Sequence, residues 1–401
     1  MFYNFFSETL LVGNHTQYKK LIDLLNNPNH KNDSSFFKIL YDRSFILDEC
    51  FDETNELKTK HLECLENTIP VITIAPTLKC NFSCYYCYQN RNASLLSKEK
   101  ADIIINKINS LSREIALHWI GGEPLINFEI MEYISERLNV PFKSTIFTNA
   151  YLVDIYLDRL NKLNVETIYL TIDGLPKQHN TIRYTKSDHN TFIKILDNIL
   201  LISEKFPDVK IIVKANIGSK TEFDIKEYMR YFDDLKGKIR LNFGSIINKN
   251  ELDYNNKDYK FVDFIDLYYK DLLDNNFAIY KLPQKKISGA CPAYDKNSFA
   301  VSSDGIVHKC TEGIGTQNLI IGNIQDDCIV FFEEKINKIK EFDIFNNTKC
   351  VNCPIFPYCM GGCLSMQLNK KYPECIEFKY MLQRLKSMII NYFMNSQNLS
   401  K

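Results

Sequence analysis

The sequence predicts an α/β protein: a partial (β/α)6 TIM-like barrel, preceded by a small α+β, winged-helix-like domain and followed by a cysteine-rich domain. Three observations carry this. Strand-like and helix-like runs alternate from residue 69 to about residue 248, a separate hydrophobic pattern fills residues 1–68, and most of the 13 cysteines fall into two arrays. The expected division is residues 1–68, a barrel at 69–250, a helical bridge at 251–290, a cysteine-rich domain at 291–377 and a terminal helix at 378–401.

A chain of 401 residues is too long for one small core. Hydrophobic residues make up 45% and charged residues 24%, as in globular proteins. The 49 basic and 49 acidic residues cancel, so no net field favours nucleic acid or an anionic membrane. No apolar run is long enough to span a bilayer, and the first residues, Met1 to Glu8, lack the basic and apolar parts of a secretory signal. Cysteines without an export signal point to thiolate ligation in a reducing compartment, the cytoplasm.

In the N-terminal domain, residues 2–6 and 9–12 flank Ser7-Glu8 as a hairpin. A helix is expected over 17–25, ended by Asn26-Asn27-Pro28, and a second from Ser34-Ser35 through Leu40. Residues 45–47 read as a strand, and a third helix follows Asp52. His61 and Cys64 lie three apart on that helix, which suits core packing better than half a metal site.

Strands are expected at 71–75, 115–120, 144–148, 166–172, 209–216 and 239–246, with helices at 97–110, 128–138, 154–163, 190–203 and 222–235. Such repeats imply a parallel sheet with right-handed crossovers, whose chemistry gathers at the carboxyl ends of the strands. The polar motifs fall there. Cys80, Cys84 and Cys87 follow the first strand as C-x3-C-x2-C. Three thiolates on one loop can hold three irons of a cubane and leave the fourth open; a zinc knuckle with a distant ligand, or plain buried cysteines, are the alternatives. Gly121-Gly122-Glu123-Pro124 follows the second strand, where two glycines permit close backbone approach to a ligand. Thr148-Asn149-Ala150 follows the third. Thr171-Ile172-Asp173-Gly174 ends the fourth, ahead of His179, Asn180 and Arg183, whose guanidinium fork suits a carboxylate.

The second array begins with Cys291, then Gly305 and Cys310 as G-x4-C, then Cys350, Cys353, Cys359 and Cys363, and finally Cys375. Seven cysteines cannot fill two four-thiolate clusters, so one site of four and one of three are expected, with paired zinc ribbons as the alternative. Cys50, Cys64 and Cys328 are left over.

The C-x3-C-x2-C triplet, with aromatic Tyr86 just before its last cysteine, resembles the loop of the radical S-adenosylmethionine (radical SAM) enzymes. Gly121, Gly122 and Glu123 resemble the family's GGE motif, which binds the methionyl amino group. Thr148 and Asn149 resemble its TNG turn, with Ala150 departing at the glycine. Thr171, Asp173 and Arg183 resemble an S-x-D-G…R segment in which hydroxyl and arginine contact the cofactor, and Asn180 departs from its usual Asp. The later cysteines resemble the SPASM domain, which carries two auxiliary clusters. That resemblance implies Cys291, Cys310 and Cys363 for the first, and Cys350, Cys353, Cys359 and Cys375 for the second. It also implies three 4Fe–4S clusters in all, and cleavage of S-adenosylmethionine to methionine and a 5′-deoxyadenosyl radical that abstracts hydrogen from substrate.

Two activities follow from the resemblance. One is a peptide maturase that installs a thioether or carbon–carbon crosslink in a ribosomally made precursor (a RiPP maturase). Residues 1–68, similar to leader-binding recognition elements, would bind the leader, with a structural cap on the barrel as the alternative, and a ferredoxin or flavodoxin would supply electrons. The other is an anaerobic sulfatase maturase forming formylglycine from Cys or Ser. Sulfatase maturases typically begin almost at their triplet and carry an acid directly after the G-x4-C cysteine. Here 79 residues precede Cys80, and Thr311 holds the acid's place, with Glu312 one further. Both features favour the first activity. A non-catalytic peptide-binding or electron-transfer protein is a third reading, which the intact triplet, GGE motif and Arg183 oppose.

Overall fold

The computed structural model describes residues 2–7, 9–11, 13–27, 35–90, 92–217, 224–245, 277 and 291–370. The bridge expected at 251–290, the terminal helix at 378–401 and Cys375 lie outside the described residues, apart from Phe277 within the bridge. The chain divides into two compact units. One joins residues 1–68 to 282–291 and 341–401; the other joins 69–281 to 292–340. The cysteine-rich region contributes to both units.

In the first unit, β1 (Phe2–Asn4) and β2 (Thr9–Leu11) pair antiparallel. Helix α1 (His15–Asn26) starts at a capping box, with Asn14 Oδ1 accepting from Gln17 N and Gln17 Oε1 accepting from Asn14 N. Helices α2 (Ser35–Asp42) and α3 (Glu53–Asn67) follow, the latter capped by Asp52. Leu11, Leu21 and Leu40 form a small core, with Leu24, Phe36, Phe45 and Ile46 packed on it. The strand expected at 45–47 is absent. The chain turns at Ser44, which has φ of 58°, and Phe45 N bonds back to Leu40 O, so these side chains pack as a turn.

The second unit holds the barrel sheet. In chain order it contains β3 (Val71–Ile74), α4 (Lys98–Asn109), β4 (Ile115–Trp119), α5 (Phe128–Ser135), β5 (Phe142–Phe147), α6 (Val153–Tyr156), β6 (Val165–Thr171), α7 (Pro176–Ile182), α8 (Thr191–Lys205), β7 (Lys210–Ile217), α9 (Ile225–Arg230) and β8 (Ile239–Ser245). Strands β3 to β8 are parallel neighbours in sequence order, as six β/α repeats require. The helix expected at 154–163 is one α-turn followed by a 3-10 helix (Leu157–Leu163) that ends at Asn164 in the left-handed region. That expected at 222–235 is the short α9 and a 3-10 turn.

Four further strands widen the sheet: β9 (Phe299–Val301), β10 (Ile306–His308), β11 (Ile320–Gln325) and β12 (Cys328–Phe331). β9 lies parallel to β3, and the rest add antiparallel, giving ten strands. Gly305, at φ of 96°, makes the tight turn between β9 and β10, so the glycine of the G-x4-C spacing is a hairpin glycine.

One face of the sheet is apolar and sealed, with Ile72, Ile74, Leu117, Trp119, Ile146, Ile168, Leu170, Val213 and Phe243 all buried. Helix α8 presents Phe192, Ile195, Ile199 and Ile202 at the matching helical spacing. The alternating positions Ala116, His118, Thr145, Phe147, Tyr169 and Thr171 are half-buried. No helix among the described residues is long and apolar enough to cross a membrane.

Ile72 is fully buried on β3, between β4 and β9. Ile72→Ala should therefore cost about 2–5 kcal/mol, read as a lowered denaturation midpoint.

Candidate active site

The cysteine loop is fixed by backbone before any side chain acts. Gly122 N bonds to Thr77 O at 3.1 Å and Glu123 N to Lys79 O at 2.8 Å, which ties the end of β4 to the residues leading into Cys80. A Cβ on Gly121 would sit 2.2 Å from Thr77 O, and one on Gly122 would sit 2.1 Å from Lys79 O. The sequence suggests glycines that admit a ligand; the close approach in the structure is by the cysteine loop itself.

Glu123 is fully buried. Its carboxylate accepts from Leu125 N at 3.1 Å, Thr148 Oγ1 at 2.6 Å and Asn149 N at 2.7 Å. Burial pushes its carboxyl up to about 7 against these bonds. Asn149 Nδ2 then donates to Asn81 Oδ1 at 2.7 Å, inside the cysteine loop. Ala150 has φ of 62°, a region that favours glycine, which explains why a glycine would suit this turn. The alanine is held there by Thr148 Oγ1, which accepts from its N, and by Asn198 Nδ2, which donates to its O.

On the other side, the Tyr86 hydroxyl donates to Asp173 Oδ2 and accepts from Arg183 Nη1 at 2.6 Å. Arg183 and Asp173 form an ion pair at 3.6 Å, almost entirely buried. Burial pushes the Tyr86 phenol up, so it stays protonated. The Arg183 guanidinium also lies 5.6 Å from the Phe82 ring centre, and Ser83 N bonds to Tyr184 O. Asn216, at the end of β7, was not singled out by sequence; its N and Nδ2 donate to Asp173 Oδ1, and its Nδ2 to the Tyr86 hydroxyl. Its place near the carboxyl end of β7, where the polar groups of such sheets gather, was the available signal.

Thr171 ends β6 on the half-buried face, two residues beyond Tyr169, whose ring stacks on Phe147 at 4.9 Å. His118 meets Phe147 edge-on at 5.5 Å, and burial pulls its imidazole down to about 4. Sequence reasoning singled out none of His118, Phe147 and Tyr169. His179 is buried and neutral, its Nδ1 accepting from Asp173 N at 3.0 Å. Asn180 Oδ1 accepts from Phe192 N at the start of α8.

A family model described as the radical SAM superfamily matches residues 74–231. The chain carries a radical SAM domain. Its relatives include a cysteine-type anaerobic sulfatase-maturating enzyme of Clostridium perfringens, 23% identical over 347 residues, covering 77% of this chain and 91% of that protein. The radical SAM cyclopropyl synthase TigE of Paramaledivibacter caminithermalis is 24% identical over 392 residues, covering 84% and 78%. Among solved structures, anSMEcpe with bound AdoMet and Cp18Cys peptide superposes with a TM-score of 0.61 at 24% identity, covering 82% of this chain and 99% of that one. Streptococcus suis SuiB bound to precursor peptide SuiA gives 0.51 at 18%, covering 90% and 87%. At these identities the structural likeness speaks to the fold.

The radical SAM loop fits an anionic cluster and cofactor. Cys80 and Cys84 are half-buried and Cys87 is exposed. Arg183 Nε and Asn81 Nδ2 are buried without a partner among the described residues, leaving two donors beside the thiols for an anionic ligand. Among the described residues, no three His, Cys, Asp or Glu side chains converge as for one metal ion, whereas a cubane takes one thiolate per iron and needs no such convergence.

Of the later cysteines, Cys350, Cys353 and Cys359 lie on two single-turn helices and the link between them, with Cys350 and Cys359 buried. Cys363 follows a turn in which Met360, Gly361 and Gly362 all have positive φ. Cys291 and Cys363 belong to one compact unit and Cys310 to the other.

Two outcomes follow. Because the folded state raises the Glu123 carboxyl from 4.5 to about 7, it holds that proton more tightly than the unfolded chain. The stabilisation is complete below 4.5 and lost as pH rises to about 7, so melting temperature should fall across that window in the native protein and stay flatter in Glu123→Gln. Asp173→Asn leaves the Arg183 guanidinium buried without its countercharge and should cost on the order of 3 kcal/mol, read by denaturation of the anaerobic protein.

Proposed function

We propose that this chain is a radical SAM peptide maturase of the SPASM type, which oxidatively crosslinks a ribosomally made precursor through a thioether or carbon–carbon bond. The observation that carries the reading is the loop of Cys80, Cys84 and Cys87, closed on one side by Glu123, Thr148 and Asn149 and on the other by Tyr86, Asp173 and Arg183, with donors to spare. When bound, a cluster on these thiols supplies the electron for reductive cleavage of S-adenosylmethionine. Arg183 supplies a fixed positive charge for the methionyl carboxylate, and the Gly121–Glu123 turn lies next to the cysteine loop to receive the amino end. Glu123 acts through the turn it organises, since its oxygens already hold three donors. The hydroxyl of half-buried Thr171, at the end of β6, would contact the cofactor as well.

Cys291, Cys310 and Cys363 would hold one auxiliary cluster, and Cys350, Cys353, Cys359 and Cys375 the other, for three 4Fe–4S clusters. Residues 1–68, a hairpin with three helices, would bind the leader as an added strand. A cytoplasmic ferredoxin or flavodoxin would reduce the enzyme. A structural neighbour described with a bound precursor peptide supports a peptide substrate. Formylglycine formation is the second reading, favoured by the 91% coverage of the sulfatase-maturating relative.

Anaerobic, reduced protein should convert S-adenosylmethionine to 5′-deoxyadenosine. Replacing Cys80, Cys84 and Cys87 by Ala should abolish this and lower iron from about twelve to about eight per chain. Undiminished cleavage in that variant sinks the assignment. Mass spectrometry of a co-expressed peptide separates a crosslink from an aldehyde at Cys or Ser.

A further inference from the structure

The segment bearing Cys350, Cys353 and Cys359 has little means of ordering itself. Its helices, Thr348–Val351 and Phe356–Cys359, are one turn each, far below the length at which helices persist alone. No strand occurs among its described residues 341–370. What packs it is the N-terminal module of the same compact unit. Phe6 and Leu57 share a buried core with Ile344, Cys350, Phe356 and Met360, and Cys353 packs against that core.

The contacts are specific. Phe5 lies 6.4 Å from Tyr358, and His61 lies 6.2 Å from Phe345, whose ring meets Phe356 edge-on at 5.4 Å. Lys58 Nζ bonds Asp343 at 2.6 Å and lies 5.8 Å from the Phe345 ring. The turn after Cys359 joins the same packing, since a Cβ on Gly361 would fall 2.4 Å from Ile344 Cδ1. A helix of the N-terminal module and a segment distant in sequence thus form one hydrophobic body that takes in buried Cys350, with half-buried Cys353 packed against it.

We propose that the N-terminal module is a wall of the metal site on Cys350, Cys353 and Cys359, so that loading these thiols and ordering α3 are one coupled event. The inference rests on the reading that these cysteines hold a cluster. A ligand that binds only the ordered form stabilises everything ordered with it. Cluster loss should therefore loosen α3, and damage to the α3 face should release iron. The coupling runs both ways by linkage. The module, whatever it binds, would then present its surface only in a chain whose metal site is complete. The leader-binding surface and the auxiliary site could not be separated by deleting residues 1–68.

The test uses the full-length, anaerobically loaded protein. Cys353→Ser should lose about four of about twelve irons and speed amide exchange in α3 at least about tenfold, while exchange in α4 of the other unit stays as in the native protein. Leu57→Ala should lose a comparable amount of iron, and Leu57→Met should keep it. Iron loss in Cys353→Ser with unchanged exchange in α3 overturns the coupling and leaves the cluster assignment standing. A Cys353→Ser protein with full iron overturns the cluster assignment and the coupling with it. Should Leu57→Ala fail to fold, the exchange measurement on Cys353→Ser decides alone.

Discussion

Everything at the candidate active site depends on how closely β4 can approach the chain that leads into Cys80. Any side chain at Gly121 or Gly122 would overlap a carbonyl oxygen of Thr77 or Lys79. With both glycines in place, two backbone hydrogen bonds hold the loop, and Glu123 is delivered to a fully buried position between β4 and β5. There it meets the Thr148–Asn149 turn, and Asn149 reaches back to Asn81 in the loop. The contacts form a closed circuit in which each polar group depends on the last. A net gain of about 1 kcal/mol per neutral hydrogen bond would not build such a circuit, but leaving any one of its buried members unpaired costs more than that.

Charge is handled differently on the far side of the loop. Arg183 and Asp173 are both buried, and their attraction alone scarcely offsets the cost of removing them from water. The Tyr86 hydroxyl joins them, accepting from the arginine and donating to the carboxylate, and Asn216 adds donors to the carboxylate. The loop's aromatic residue is thereby an organising hydrogen-bond relay as well as a packing group. Burial keeps the nearby His179 neutral, so it adds no second charge beside Arg183. The result is a fixed positive charge within electrostatic reach of the Cys84 thiol, a sensible arrangement for an anionic cluster and a carboxylate-bearing cofactor.

The other compact unit answers a problem of size. A cysteine segment built from single-turn helices cannot bury enough surface by itself, and here an N-terminal helix supplies the missing side chains. The remaining part of the cysteine-rich region is absorbed by the barrel, where β9 pairs with β3 and Thr311 Oγ1 lies 2.9 Å from Thr73 Oγ1. Splitting one sequence region between two bodies gives each half a core that neither has alone.

The order of the six barrel strands, most helix starts and the cysteine arrays were legible in the sequence because they rest on local rules. Alternating burial marks the strands, Asp52 and Ser97 cap helices, and the cysteine spacing is read directly from the chain. The kink at Ser44 was not legible, since a left-handed serine leaves no pattern in composition. Nor was the partner of each motif. That Glu123 holds Thr148 and Asn149, that Asn216 completes the Asp173 network, and that Phe6 and Leu57 pack on Cys350 are contacts between residues far apart in the chain. By itself the sequence determined which groups the molecule carries and the local form of the segments that bear them. Only the tertiary structure decided which groups meet, because a buried hydrogen bond or a shared core is set by the packing of whole elements and leaves no periodic trace in either partner.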